Sequence, residues 1–140
     1  MVKIIVTTIM EVMGSPKEHV DETLQLLMKK LKDDKTFKFV KGDMFDAVPV
    51  EKTPLFTGFV DVELEFKKFE ELTGFCFDYY PSSIEIIEPE NLNIKNNELS
   101  LLFNDIAARL HKTHKLVREI HASNRLLSEE LQKYKKEETK

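Results

Sequence analysis

Six basic side chains near the end of the sequence follow one another at spacings of three and four residues. They are His111, His114, Lys115, Arg118, His121 and Arg125. On a helix these spacings place the side chains along one stripe, here called the basic stripe. Cations aligned on a rigid helix attract a polyanion and release its counterions, so the basic stripe is a candidate site for a phosphate-bearing ligand or nucleic acid. The alternatives, which we favour, are a solvated helix face or contact with an acidic surface.

Three of the four histidines lie in the basic stripe, so its charge is expected to depend on pH. Histidine gains its proton near pH 6.5, and binding to an anionic partner is therefore expected to tighten below about that pH. His111 and His114 are three residues apart, but no carboxylate or cysteine ligand accompanies them. This is a weak pattern for a metal, and we expect no metal site.

Catalytic motifs are absent from the sequence. The single cysteine, Cys76, lies between Phe75 and Phe77; we expect it to be a buried small hydrophobic residue, since a nucleophile would need a nearby base such as His19. The four glycines are isolated, so no glycine-rich loop could hold a phosphate. We therefore expect neither a cofactor nor an enzyme activity.

A run of alternating residues predicts a strand with one acidic face. Val60, Val62, Leu64 and Phe66 alternate with Asp61, Glu63 and Glu65. Because side chains alternate across a strand, the apolar set is expected to face a core and the acidic set to face solvent or a partner. The predicted exposed sheet face comprises Phe59, Asp61, Glu63, Glu65 and Glu85.

The surrounding elements alternate between strand and helix patterns. They are a strand over residues 2–10, a helix over 16–34, an extended segment from 37 to about 50, a strand through 60–66, a helix from 67 or 68 to 80, and a strand around 84–86. This βαββαβ order predicts an α+β, ferredoxin-like domain, with a four-stranded antiparallel sheet and two helices on one face. Two local details are also expected: a capping box at Ser15-Pro16-Lys17-Glu18, and an interruption of the second strand at Gly42-Asp43.

The last third of the sequence predicts one long helix. From about Asn97 onward neither glycine nor proline occurs, and apolar residues recur in heptads, which is typical of a coiled coil over about residues 99–134. The predicted dimer seam, its a and d positions, comprises Phe103, Ile106, Leu110, Val117, Ile120, Asn124, Leu127, Leu131 and Tyr134. At about 1.5 Å per residue, such a helix is too long for a 90-residue domain to cover.

Asn124 indicates how the helix would pair. A lone asparagine at an a position favours two parallel strands in register, as in leucine zippers. The alternative is that the helix folds back on its own domain. We expect that arrangement for residues 99–110, where the apolar face is wide, and a self-pairing coiled coil for residues 113–134, where it is narrow.

The length and the charge distribution of the chain indicate how it divides into domains. The chain has 140 residues, enough for a domain over 1–90 and a helix over 91–140, with a charged tail at 135–140. Residues 1–90 hold 11 Lys/Arg and 18 Asp/Glu, whereas residues 91–140 hold 10 and 7, so a net charge of −4 divides into an acidic and a basic part. The lone cysteine and the lack of a long apolar run predict a cytoplasmic protein without a membrane segment.

The residues from Tyr80 to Leu92, YPSSIEIIEPENL, end a predicted strand in a Pro-Glu-x-Leu turn. Together with the start of the long helix, residues 80–110 resemble the ferredoxin-like C-terminal extension of WYL-type transcriptional regulators. The chain lacks the winged helix and the WYL domain of those proteins. The resemblance therefore implies only the fold of this part, and no DNA-binding or ligand-binding residue is transferred.

These observations favour an interaction protein. We expect a non-enzymatic homodimer that presents two ferredoxin-like domains on a parallel coiled coil to an unidentified protein partner. Two alternatives remain open: a small-molecule sensor similar to ACT-type regulators, and a nucleic-acid-binding protein that uses the basic stripe. The overall acidity and the acidic predicted sheet face argue against nucleic acid.

Overall fold

The computed structural model describes residues 3–139. Its elements are β1 (Ile4–Gly14), α1 (Lys17–Asp33), β2 (Lys38–Pro49), β3 (Phe56–Phe66), α2 (Phe69–Tyr79), β4 (Ser83–Glu88) and α3 (Asn96–Glu138). The chain divides into two compact units, Met1–Leu92 and Asn93–Lys140. The first unit contains the four strands with α1 and α2, and the second contains α3.

The four strands form one antiparallel sheet in the order β2-β3-β1-β4. β1 pairs with β3 along its whole length, from Ile4 opposite Phe66 to Gly14 opposite Phe56. With the βαββαβ chain order, this arrangement is that of ferredoxin-like domains. The predicted fold class, an α+β domain followed by a long helix, is confirmed.

The core lies between one face of the sheet and the two shorter helices. Residues from β1, β3, α1 and α2 join a single buried cluster, so both helices cover the same sheet face. Its members in these elements are Ile4, Val6, Met10, Val20, Leu24, Leu31, Val60, Val62, Leu64, Phe66, Leu72 and Phe75. Thr8 is the buried polar residue of this face, and its hydroxyl donates a hydrogen bond to the Ser83 carbonyl at 2.8 Å, which ties β1 to β4.

Two polar contacts fix the edges of the core. The Asp21 carboxylate of α1 accepts hydrogen bonds from Lys17 Nζ at 2.7 Å and from the Ala47 backbone N–H at 2.9 Å, so it anchors β2 to α1. The Tyr79 hydroxyl donates to Asp34 Oδ2 at 2.7 Å, which joins the end of α2 to the end of α1.

Two local predictions are wrong. The capping box fails because Pro16, in an extended conformation, is itself the N-cap, with no side-chain cap hydrogen bond, and Ser15 lies one residue outside the cap position. The second strand is not interrupted at Gly42-Asp43; its irregularities fall between Phe39 and Lys41 and between Phe45 and Val48. Gly42 is instead needed for packing, since a Cβ there would lie 2.7 Å from Val62 Cγ1.

Candidate interaction surfaces

The sheet face opposite α1 and α2 is the first candidate surface, here called the acidic face. Cross-strand pairing orders its side chains in rows across β2, β3, β1 and β4. The rows are Lys41, Glu63, Thr7 and Glu85; then Asp43, Asp61, Ile9 and Ser83; then Phe45, Phe59 and Glu11. Acidic residues therefore occur on all four strands, and an aromatic pair, Phe45 and Phe59, lies beside them.

The structure brings the five predicted sheet-face residues together on the acidic face. Phe59, Asp61 and Glu85 are exposed, whereas Glu63 and Glu65 are half-buried. Glu65 also forms ion pairs with Lys3 at 3.4 Å and with Lys38 at 4.0 Å. Part of the acidic charge is thus neutralised at the Glu65 end of the face.

Sequence reasoning missed the β2 residues of this face, among them Asp43 and Phe45. The Phe45 and Phe59 rings stack with 4.5 Å between centroids and an interplanar angle of 21°, and both side chains remain exposed, by 45 % and 38 %. The period-two spacing of Lys41, Asp43 and Phe45 was the available signal. The two irregularities of β2 obscure that signal over the whole strand.

The apolar stripe of α3 is the second candidate surface. The helix has 43 residues, which gives a length of about 64 Å, and no described residue of it is buried. Seven predicted seam residues are each 42–65 % exposed: Phe103, Leu110, Val117, Ile120, Leu127, Leu131 and Tyr134. Ile106 is half-buried, and Asn124 is exposed. Such a row of exposed large apolar side chains is typical of an interaction surface.

The basic stripe lies on the same helix, beside the seam. All six of its residues are helical and exposed. In the heptad, His114 and His121 occupy e positions, and His111, Arg118 and Arg125 occupy b positions, so the stripe flanks one side of the seam.

Two observations within residues 3–139 concern metal binding and the reactivity of the cysteine thiol. Over that range no group of three or more His, Cys, Asp or Glu residues is placed to hold a metal ion. Cys76 is half-buried rather than buried, and this burial raises the pKa of its thiol. Because a nucleophilic cysteine needs a lowered pKa, the Cys76 thiol is poorly suited to catalysis.

No helix within residues 3–139 combines the length and the apolar content needed to cross a membrane.

The chain shares sequence similarity with known proteins of one family. Over 92 residues, which are 64 % of this chain, the sequence is 30 % identical to uncharacterized protein MJ0538 of Methanocaldococcus jannaschii. The match covers 34 % of that relative, so the chain spans about a third of its length. No solved structure matches the chain. A model of the MJ0538 family matches residues 5–138, and the chain therefore belongs to the MJ0538 family.

Proposed function

We propose that the protein is a homodimeric interaction protein. Two copies of α3 pair as a parallel coiled coil, and each copy presents its α+β unit to a macromolecular partner. The observation that carries this proposal is the exposure of seven large apolar a and d residues of α3, between Phe103 and Tyr134. A second copy of the same stripe buries them in the simplest symmetric way.

The length of α3 supports pairing. Intrinsic propensity stabilises an isolated helix only marginally, and most helical stability in proteins comes from packing of an apolar face. The seam repeats every 3.5 residues on average, as left-handed coiled coils require. Thr113 and Tyr134 are weak d residues, so the seam is strongest between Val117 and Leu131.

Polar positions support the parallel orientation. In a parallel pair, Asn124 of one copy lies opposite Asn124 of the other, where the two amides can bond to each other. Glu130 at g then faces Lys135 at e of the second copy. This exposed pair is attractive but contributes at most a few tenths of a kcal/mol, so it helps to set orientation rather than stability.

Disulfide cross-linking tests both pairing and orientation. In a Cys76→Ser background, Asn124→Cys places a thiol at the seam, and Glu129→Cys places one at an f position that faces away from it. Under mild oxidation we expect a covalent dimer from the Asn124→Cys variant and little from the Glu129→Cys variant. Equal yields, or no covalent dimer from either variant, would show that the helices do not pair in parallel through this seam.

A further inference from the structure

We infer that the acidic face binds a cationic protein segment, with a lysine or arginine side chain of that segment over the Phe45–Phe59 pair and its charge beside Asp43 and Asp61. The inference rests on the proposed function, in which the α+β unit is the part presented to a partner. It adds the chemistry of that partner.

Register places the aromatic and acidic groups within reach of one side chain. Asp43 is directly opposite Asp61, and Phe45 is directly opposite Phe59, in successive rows of β2 and β3 on the same face. Successive residues on one face of a strand are about 6.5–7 Å apart. A guanidinium or ammonium group over the rings can therefore approach the carboxylates, while its aliphatic stem covers the exposed aromatic carbons.

The Asp43–Asp61 pair is unfavourable as it stands. Like charges directly opposite each other in a sheet are destabilising. Within residues 3–139, neither carboxylate has an ion pair or a hydrogen bond. A cation that lies between them would relieve this repulsion.

A shallow groove of about 310 Å³ adjoins the two aspartates and accommodates such a side chain. On the acidic face its walls include Thr7, Lys41, Asp43, Asp61 and Glu63. Three carboxylates against one lysine leave the groove negative, which favours a cationic occupant.

The negative charge of the acidic face also disfavours two other occupants, a second copy of the face and a nucleic acid. Its carboxylates outnumber its lysines six to three: Glu11, Asp43, Asp61, Glu63, Glu65 and Glu85 against Lys3, Lys38 and Lys41. A second copy stacked face to face would bring like charges together, and a nucleic acid would be repelled. A cationic protein segment is complementary to the face.

The fold already contains the same type of contact twice. Lys30 Nζ lies 4.9 Å from the centroid of the Tyr79 ring, and Lys32 Nζ lies 5.6 Å from that of Phe39. Both distances are within the range in which a cation is attracted to an aromatic ring. Phe45 and Phe59 offer an exposed aromatic surface for an external cation.

The test uses the intact, isotope-labelled chain and a peptide of eight arginines, titrated by NMR. We expect amide shifts centred on the middle of β2 and β3. Phe59→Leu and Asp61→Asn should each weaken binding at least about threefold, whereas the control Glu70→Gln, which removes an equal charge from α2, should leave it unchanged. Folding of each variant is checked from the same spectra.

Several results would overturn the inference. One is an equal loss of peptide affinity in the Glu70→Gln control, and another is amide shifts centred outside β2 and β3. A third is no binding at millimolar peptide. A fourth is a change of molecular mass in Phe59→Leu, which would make a second copy of the chain the occupant. Mass is measured on the same samples by light scattering. If the protein is a dimer that does not bind the peptide, this inference alone is contradicted. If it is a monomer that binds the peptide, only the proposed dimer is contradicted.

Discussion

The Phe45 and Phe59 rings stack across β2 and β3 on the side of the sheet away from the core. Because Phe59 is 38 % exposed, we expect Phe59→Ala to lower the free energy of unfolding by about 1–2.5 kcal/mol, from the loss of the ring pair and of partial burial together. The matched change Phe66→Ala removes a fully buried ring of the same strand and should cost about 3–5 kcal/mol. Urea unfolding measures both, and similar losses would mean that Phe59 supports the fold.

Two glycines in different surroundings should respond oppositely to alanine. A Cβ at Gly58 would lie 2.5 Å from Leu24 Cδ1 and 3.1 Å from the Phe45 carbonyl oxygen, so Gly58→Ala should destabilise the fold by about 1–3 kcal/mol. Gly74 is inside α2, where such a Cβ would have no neighbour within 4 Å beyond the adjacent residues and the helix's own backbone, and Gly74→Ala should stabilise the fold by up to about 1 kcal/mol. Thermal unfolding of the two variants checks the signs; stabilisation by Gly58→Ala would contradict the tight packing.

The Tyr79–Asp34 hydrogen bond should make stability depend on pH at both extremes. Burial raises the pKa of Asp34, but hydrogen bonds from Thr36 and Tyr79 outweigh it, so the net pKa is lowered. The contribution of the ionised Asp34 carboxylate to folding stability is present above its unfolded pKa of about 3.9, and it is lost as pH falls through the lower pKa of the folded state. Burial, and next the hydrogen bond to Asp34, raise the pKa of Tyr79. The stability that depends on a protonated Tyr79 hydroxyl is therefore present below about pH 10, the unfolded pKa, and is lost at higher pH.

Two variants separate these contributions in urea unfolding curves recorded across pH. Tyr79→Phe should lower stability at pH 7 and flatten the alkaline decline. Asp34→Asn should flatten part of the acid decline. If Tyr79→Phe leaves the alkaline limb unchanged, Tyr79 is not the group that titrates there.

Asn124 should set the number of strands at a cost in stability. Asn124→Leu places an apolar side chain at the seam, so we expect a higher unfolding temperature together with a mixture of dimers and larger oligomers. Leu126 at a c position provides the control, because Leu126→Asn lies outside the seam and should leave the oligomer unchanged. Sedimentation velocity resolves the species; an unaltered single species with Asn124→Leu would show that Asn124 is not at an interface.

Elements with strong periodicity could be predicted from the sequence, and those that depend on long-range contacts could not. The alternation from Val60 to Phe66 and the heptads of α3 are local patterns, and the structure contains both elements. The placement of Phe45 depends on how β2 pairs with β3, including two irregularities of register. The second irregularity contains Ala47, whose N–H donates a hydrogen bond to Asp21 of α1, a long-range contact. The start of α1 was misplaced because sequence alone does not show whether a proline is the cap or the first helical residue.

The apolar stripe of α3 and the acidic face differ in how far the sequence predicts them. The seam and basic stripe of α3 are periodic and were predicted residue by residue, although their pairing stays a prediction, as does the resemblance of residues 80–110 to WYL-type regulators. The acidic face was predicted only from residues of β3 and β4. Its most exposed aromatic pair appears once β2 is aligned with β3.

The central claim is that α3 joins two copies of the chain, and the molecular mass in solution tests it most directly. Multi-angle light scattering of the intact protein at micromolar concentration should give twice the chain mass of 16.4 kDa. Truncation after Arg109 removes the seam from Leu110 onward, and the measured mass should then approach that of one truncated chain. A mass of one chain for the intact protein at that concentration would contradict the account.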